Sequence, residues 1–204
     1  MRMPEAMARR ADGDDDDRAV VRRILAGEVD AFAVLMVRYQ DYVLAIVKRH
    51  APLDHVEELA QEVFIKAYQS LAGWRGAGRF QSWLSAIAVR TCYDFWRKRY
   101  RSREMPLSAL SEAHRDWLEH TLADASEKSW QAITRRREAR EILDWALDHL
   151  SAADRMVLEL IYLEEQSVKE AAHLLGWTVA NVKVRAFRAR RKINKLLLKD
   201  GRPK

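Results

Sequence analysis

Apolar positions recur along the chain at three- and four-residue spacing rather than in strict alternation. Prolines stand only at 4, 52, 106 and 203, so the pattern predicts an all-α chain. Asp30 is a candidate N-cap, and behind it Phe32, Leu35, Met36, Tyr39, Tyr42, Ile46 and Val47 form one apolar face. Asp54 with Glu57 has capping-box spacing, and the helix it opens is expected to bury Val56, Leu59, Val63, Phe64, Ala67, Tyr68 and Leu71. The opposite face carries Glu58, Gln61, Glu62, Lys66 and Gln69. A glycine-rich turn, Gly73-Trp74-Arg75-Gly76-Ala77-Gly78, then precedes a long helix starting near Phe80, with Trp83, Leu84, Ile87, Thr91 and Phe95 expected inside.

Pro106 opens a mixed, slightly acidic stretch containing Glu112, Asp116, Glu119, Asp124 and Glu127, read as a linker over 105–128. Helical pattern returns from Trp130 to Leu150. Ser151 with Asp154 starts a capped helix through Glu164, and Ser167 with Glu170 starts another that stops at Gly176. A last helix opens at Thr178. The stretch His173–Thr178 is enough to finish one short helix, turn at Gly176 and cap a second helix set across the first, which is helix-turn-helix grammar. The predicted organisation is therefore an acidic disordered tail over 1–17, a helical domain over 18–104, a flexible linker over 105–128 and a helix-turn-helix domain over 129–204. The Asp12–Asp17 run reads as solvated tail.

Charge is unevenly placed. The stretch from Thr178 onward holds ten basic residues against Asp200, and Arg90–Arg103 holds six against Asp94. With a whole-chain charge of +6, these patches of +9 and +5 leave −8 for everything else. Two concentrated cationic patches on an otherwise acidic chain imply two contacts with a polyanion, because neutralising phosphates releases counterions wherever Lys and Arg cluster. The C-terminal patch coincides with the helix that a helix-turn-helix places in a major groove. Its early residues Thr178, Asn181, Lys183, Arg185 and Arg188 are the candidates to reach the duplex there. The first patch interleaves rings with cations. Arg90, Tyr93, Arg97 and Tyr100 or Arg101 share a face, with Trp96 beside them and Lys98 adding charge. Rings stack bases and cations follow phosphates, which suits a strand that has left the duplex. The preceding loop, with Trp74, Arg75 and Arg79, is a candidate pocket for one extruded base.

Composition narrows the classes. At 49% hydrophobic and 32% charged, the 204 residues can bury a core, which excludes disorder across the whole chain. No stretch approaches the roughly 18 apolar residues of a membrane span, and the start, MRMPEAMARRADG, lacks a secretion signal's apolar core, so a cytoplasmic protein without membrane insertion is expected. The single cysteine, Cys92, excludes a disulfide within the chain and an all-cysteine zinc site, and is expected to pack. Gly73–Phe80 misses a phosphate-binding loop, because Arg79 and Phe80 stand where Lys and Ser/Thr are required and no strand precedes it. A carboxylate-bridged di-metal bundle requires two Glu-x-x-His motifs, whereas Glu170-Ala-Ala-His173 stands alone mid-helix, and His173 reads as a helix-surface residue. No catalytic residue, metal or cofactor is expected.

These residues resemble the extracytoplasmic-function sigma factors, the small promoter-recognition subunits of bacterial RNA polymerase. Glu58-Leu-Ala-Gln61-Glu62-Val-Phe64 is similar to their acidic-x-x-Gln-Glu-x-Phe signature, and Phe80-Gln-Ser-Trp83-Leu84-Ser-Ala-Ile87-Ala88 to the start of their promoter-melting helix. Arg155-x-Val157-x-x-Leu160, Ser167-x-x-Glu170-Ala171-Ala172, Leu175-Gly176, Val182-Lys183-x-Arg185 and Arg188-Ala189-Arg190 resemble their C-terminal helix-turn-helix in order and spacing. The family commonly has Asp where Glu58 stands and Asn where Arg90 stands. The resemblance implies that the C-terminal helix reads the minus-35 duplex and the N-terminal domain opens and grips the minus-10 strand. It also implies that Glu58, Gln61 and Glu62 dock on core RNA polymerase, with an anti-sigma factor as a further partner. A 24-residue linker spans roughly 80 Å at full extension, more than the roughly 60 Å between promoter elements about 17 base pairs apart. The competing class is a stand-alone helix-turn-helix regulator with a ligand-binding or dimerising N-terminal domain, which would shift promoter DNA without polymerase.

Overall fold

The computed structural model describes residues 16–74, 76, 78–102 and 143–200. The linker, most of the acidic tail, the first part of the helix expected from Trp130, and Arg75 lie outside the described residues. Every regular element described is helical. Helix α1 spans 16–25, α2 Phe32–His50, α3 Val56–Ser70 and α4 Phe80–Ser102. Then come α5 over 143–148, α6 Ala152–Leu158 continuing as a π-helical turn Glu159–Leu163, α7 Val168–Leu175 and α8 Val179–Asp200. Among the described residues no helix is long and apolar enough to cross a membrane.

The chain divides into two compact units. One takes the chain up to Phe95 together with Ser167–Val179, and the other takes Trp96–Gln166 and Ala180–Lys204. In the first unit α2 buries Phe32, Leu35, Val43, Ile46, Val47 and His50, and α3 buries Val56, Leu59, Ala60, Val63, Phe64 and Ala67. Met36 and Tyr68, expected inside, are 42% and 41% exposed, each at the edge of its stripe. Helix α4 buries Phe80, Leu84, Ala88, Thr91 and Cys92 in this unit, while Trp83, Ile87 and Phe95 are half-buried. A fully buried Leu or Phe contributes about 1.5–3 kcal/mol, so this stripe anchors α4 firmly.

Polar ties fix the helix registers. The hydroxyls of Tyr42 and Ser85 pair at 2.7 Å between α2 and α4. Lys66 on α3 reaches Glu62 at 2.9 Å, Asp94 at 3.6 Å and the Thr91 hydroxyl at 3.3 Å. Asp16 and Asp17 belong to α1 rather than to a solvated tail. Asp17 is fully buried and accepts from Arg38 and Tyr39, while Asp16 accepts from Arg38. A buried carboxylate is tolerated only with such partners, and an aspartate run alone does not disclose where they begin.

Two of the expected caps are different. Asp30 and Asp54 sit inside short 3-10 turns, Val29–Ala31 and Leu53–His55, so neither caps the helix that follows, and Ala31 and His55 precede α2 and α3 without a side-chain cap. Ser151 does cap α6 through the Asp154 amide, and Ser167 with Glu170 completes a reciprocal capping box on α7. The Ser167 hydroxyl and amide hold the Glu170 carboxyl below its ordinary range.

The second unit is organised around Arg155. Its guanidinium lies 3.8 Å from the Trp96 ring centroid, bonds Glu159 at 2.7 Å and Asp148 at 2.7 Å, and points to the Tyr100 hydroxyl at 3.5 Å. Burial alone would lower its pKa, but Glu159 and Tyr100 outweigh that and hold it above the ordinary value. Leu147, Leu150, Leu158 and Ala189 form the apolar cluster alongside, with Leu143 and Ile193 packed on it.

Removing Arg155 takes from Glu159, itself 3% exposed, the guanidinium that balances its buried charge. Arg155→Ala should therefore destabilise this unit by about 3–5 kcal/mol, and the paired Arg155→Met/Glu159→Leu variant should recover most of that. Urea unfolding of the three proteins decides it, and an unchanged midpoint for Arg155→Ala would remove the ion pair from the account. Trp74 is 8% exposed and meets Phe80 edge-on at 5.3 Å. Trp74→Ala should cost about 3–5 kcal/mol, whereas exposed Arg79→Ala should stay within about 0.5 kcal/mol. Thermal melting without DNA reads both, and equal effects would contradict a packing role for the indole.

Candidate nucleic-acid and polymerase interfaces

The face of α3 that its buried stripe leaves outside is the first candidate surface. Glu58 has an 80% exposed side chain and lies 3.5 Å from His55, and Gln61 is exposed one turn on. Glu62 is half-buried and held by Lys66, which also reaches Asp94 on α4. Glu58 and Gln61 are thus available to a partner, while Glu62 is also part of the α3–α4 junction. Two apolar residues extend the surface: Ile65 at 57% exposure follows Gln61 by one turn, and Leu53 at 80% stands just before α3. Sequence reasoning assigned neither. The available signal was a large apolar residue falling off the Leu59-Val63 stripe.

On α4, Arg90, Arg97 and Arg101 recur at seven- and four-residue spacing and are exposed on one face, with Tyr93 half-buried at its edge. Lys98 is exposed about 100° further round the helix. Arg90 and Tyr93 on this face have defined contacts. The Arg90 Nε donates to the Leu174 carbonyl at 3.0 Å and its Nη2 to the His173 carbonyl at 3.2 Å, while the Tyr93 ring meets Trp177 edge-on at 5.4 Å. Trp96 and Tyr100 do not join the exposed platform. Trp96 is 3% exposed, stacks on Tyr100 at 5.5 Å and lies under Arg155, because an indole on the buried stripe gains more from packing than from solvent.

The loop ahead of α4 is also less open than its composition suggests. Trp74, a candidate for the base pocket, is buried and packed on Phe80, whereas Arg79 is exposed and donates to Gln81 at 3.1 Å. Gly76 and Gly78 take φ of 69° and 97°, and the Gly76 carbonyl accepts from Arg18 at 3.1 Å.

The last helix carries the second cationic surface. Among its described residues, Val182, Ala186 and Ala189 are buried. Thr178, Asn181, Lys183 and Arg188 are exposed, as are Val184 and Phe187 at 46% and 60%. Arg185 is half-buried, donating to Asn181 at 3.0 Å and Asp154 at 3.2 Å, which orients its guanidinium. Val184 and Phe187 are further surface residues that sequence reasoning passed over, since a cationic run draws attention to its charges. Their outward position follows from lying opposite the Val182-Ala186-Ala189 stripe. His173 is exposed, as expected. Among the described residues no group of three or more His, Cys, Asp or Glu is placed to hold a metal ion.

Known proteins align with this architecture over most of its length. The Sigma-70 region 2 family matches residues 35–102, and the Sigma-70, region 4 family matches residues 140–193. The chain is 32% identical to the ECF RNA polymerase sigma-E factor of Escherichia coli (strain K12) over 178 residues, 87% of this chain and 92% of that protein. It is 30% identical to the RNA polymerase sigma-H factor of Pseudomonas aeruginosa, covering 90% of this chain and 94% of the other. The solved structure of CnrH in complex with the cytosolic domain of CnrY superposes with a TM-score of 0.52 at 26% identity, covering 90% of this chain and 98% of that one. With regions 2 and 4 in order on one chain and relatives matched nearly end to end, this protein belongs to the sigma-70 family, among its ECF sigma factors.

Proposed function

We propose that this chain is a transcription initiation factor that binds core RNA polymerase and directs it to promoters through minus-35 and minus-10 elements. The observation that carries the reading is that region 2 and region 4 stand in order on one chain, each with its own cationic helix. A stand-alone regulator would not account for region 2 or for a relative that is a sigma factor over 87% of this chain. In this role the chain directs an enzyme and catalyses nothing itself. It works in the cytoplasm, where polymerase and DNA are. CnrH is bound by the cytosolic domain of CnrY, and an anti-sigma factor is the corresponding restraint proposed here.

Each surface has a task. Glu58 and Gln61, flanked by exposed Ile65 and Leu53, form the polymerase face: acceptors, an amide and apolar patches suit a protein partner rather than phosphates. Glu62 contributes there while held by Lys66. The face of Arg90, Tyr93 and Arg97, with Arg79 and Lys98 at its margins, handles the minus-10 strand by phosphate contact and stacking. Helix α8 reads minus-35. Asn181, Lys183, Arg185 and Arg188 supply hydrogen bonds and charge, Thr178 stands at the helix start, and exposed Val184 is suited to a thymine methyl.

Run-off transcription with purified core polymerase over a promoter library is the direct test: promoter-specific transcripts dependent on this chain are expected, and DNA binding that needs no polymerase would favour the stand-alone regulator. Glu58→Lys/Gln61→Ala should weaken core-polymerase affinity about tenfold, or 1.4 kcal/mol, with unchanged helical circular dichroism. Undiminished capture in a pull-down would move the interface elsewhere. Arg185→Ala should relax preference at one minus-35 position by about 1–3 kcal/mol, and Asp154→Ala should do so in part, because it removes an acceptor that aims the guanidinium. Promoter selection with both variants is decisive; uniform weakening of all promoters would make Arg185 a phosphate contact.

A further inference from the structure

The loop leading into α4 is anchored at both ends. Trp74 is buried at its start, with its amide bonded to the Leu71 carbonyl at 3.0 Å, and Phe80 is 1% exposed where the helix begins. Between them Gly76 and Gly78 take positive φ, 69° and 97°, a region that glycine enters and leaves at little cost. Two such residues within three positions leave the backbone path weakly determined by its own sequence, so a contact from elsewhere decides it. Arg18 of α1 supplies that contact. Its Nη2 donates to the Gly76 carbonyl at 3.1 Å across 58 residues of sequence. Its stem lies along the same glycine, since a Cβ at Gly76 would stand 3.6 Å from Arg18 Nε and 3.9 Å from its Cδ and Cγ. Arg18 itself starts from a fixed point. Asp17 before it is fully buried and accepts from Arg38 and Tyr39 of α2, and Val20, Val21 and Ile24 carry the rest of α1 into the core.

We propose that Arg18 is a positioning residue for base selection: by tying the Gly76 carbonyl to α1, it holds the loop ahead of α4 in the shape that receives a base of the minus-10 strand. The proposal rests on the reading of this loop, with Arg79, as part of the minus-10 surface, and adds to it a residue from outside both basic patches. The physical gain is preorganisation. A loop already in its bound shape loses less freedom when a nucleotide enters, so the tie strengthens the base that fits that shape and does little for the others. A guanidinium donating to a neutral carbonyl makes a charge-assisted bond. Arg18 is exposed, so losing that bond is expected to cost about threefold to tenfold in preference and not the fold itself. An arginine that only attracted phosphate would behave otherwise, because its loss weakens all sequences alike.

Run-off transcription by the full chain with purified core polymerase, over templates randomised in the minus-10 element and separately in the minus-35 element, is the test. Arg18→Met keeps the stem and removes the donor. It should reduce the preference for the best base at one minus-10 position about threefold to tenfold, leave all minus-35 preferences unchanged, and melt with the parent. Arg18→Lys keeps a donor and the charge, and should restore most of the preference. Arg22→Met removes the same charge one turn further along α1, also from an exposed position, and should leave every preference as in the parent. Uniform weakening of all templates by Arg18→Met, or the same change in Arg22→Met, would make Arg18 a source of charge and overturn the proposal. A lowered melting temperature with preference lost at both elements would place Arg18 in the scaffold and overturn it equally. Gly76→Ala separates the tie from the loop. Alanine disfavours φ near 69° but would meet Arg18 only in ordinary contact, so this variant strains the loop backbone directly. If Gly76→Ala alters the minus-10 preference and Arg18→Met does not, the loop reads the strand without the tie and the proposal is wrong. If neither alters it, the reading of the loop has failed as well.

Discussion

An unbroken buried stripe on α4 is the constraint from which most of the surface chemistry follows. Phe80, Leu84, Ala88, Cys92 and Trp96 succeed one another every four residues, each 3% exposed or less. A helix turns 3.6 residues per cycle, so a stripe held at four-residue steps fixes the rotation of the whole helix and leaves Arg90, Arg97 and Arg101 together outside. Their shared direction is a consequence of what the other side buries, and a polar substitution at Leu84 would disturb every one of them. Trp96 illustrates the hierarchy: an aromatic that composition would assign to base stacking is drawn inward because its register belongs to the stripe.

Carboxylates complete the scaffold. Asp17 takes Arg38 and Tyr39, Glu62 and Asp94 take Lys66, Glu159 and Asp148 take Arg155, and Asp154 takes Arg185. Apart from Asp94, which lies within the first basic patch, these carboxylates belong to the −8 that the sequence carries outside its two patches, and they tie helix to helix. What remains facing out on α4 and on α8 is largely cationic. This separation of roles lets a chain of modest net charge present concentrated positive surfaces without repelling itself apart.

Helices α2, α3, α4, α7 and α8, the capping box at Ser167 and Glu170, the αL stop at Gly176 and the lone buried Cys92 were legible in the amino-acid order, because each depends on neighbours within four residues or on a strong stripe, whereas α1 over 16–25 was not. Asp30 and Asp54 were not, since a 3-10 turn and an N-cap share the same residue preferences. Asp17, Trp74 and Arg185 illustrate a different limit. Asp17 is set by Arg38 and Tyr39 some twenty residues on, Trp74 by Phe80 across a loop, and Arg185 by Asp154 on another helix. Periodicity gives the direction of a side chain and says nothing of a partner brought there by tertiary packing. The π-helical turn after Leu158, closed by the Glu164 amide on Glu159 at 3.0 Å, likewise has no signature in composition.

Position 90 shows how a bond to the scaffold and a bond to an anion would compete for a single side chain. The Leu174 carbonyl is neutral, and its bond to Arg90 gains strength from only one charge, whereas a phosphate would bring a second. A nucleic-acid strand is therefore the stronger acceptor for the guanidinium wherever it can approach. The turn holds its place by proximity: His173, Leu174 and Trp177 belong to the same compact unit as Arg90 and meet it at high effective concentration. Salt shifts this balance in one direction, because counterion release drives the phosphate contact and is lost at high ionic strength, while the bonds to neutral carbonyls are far less dependent on it.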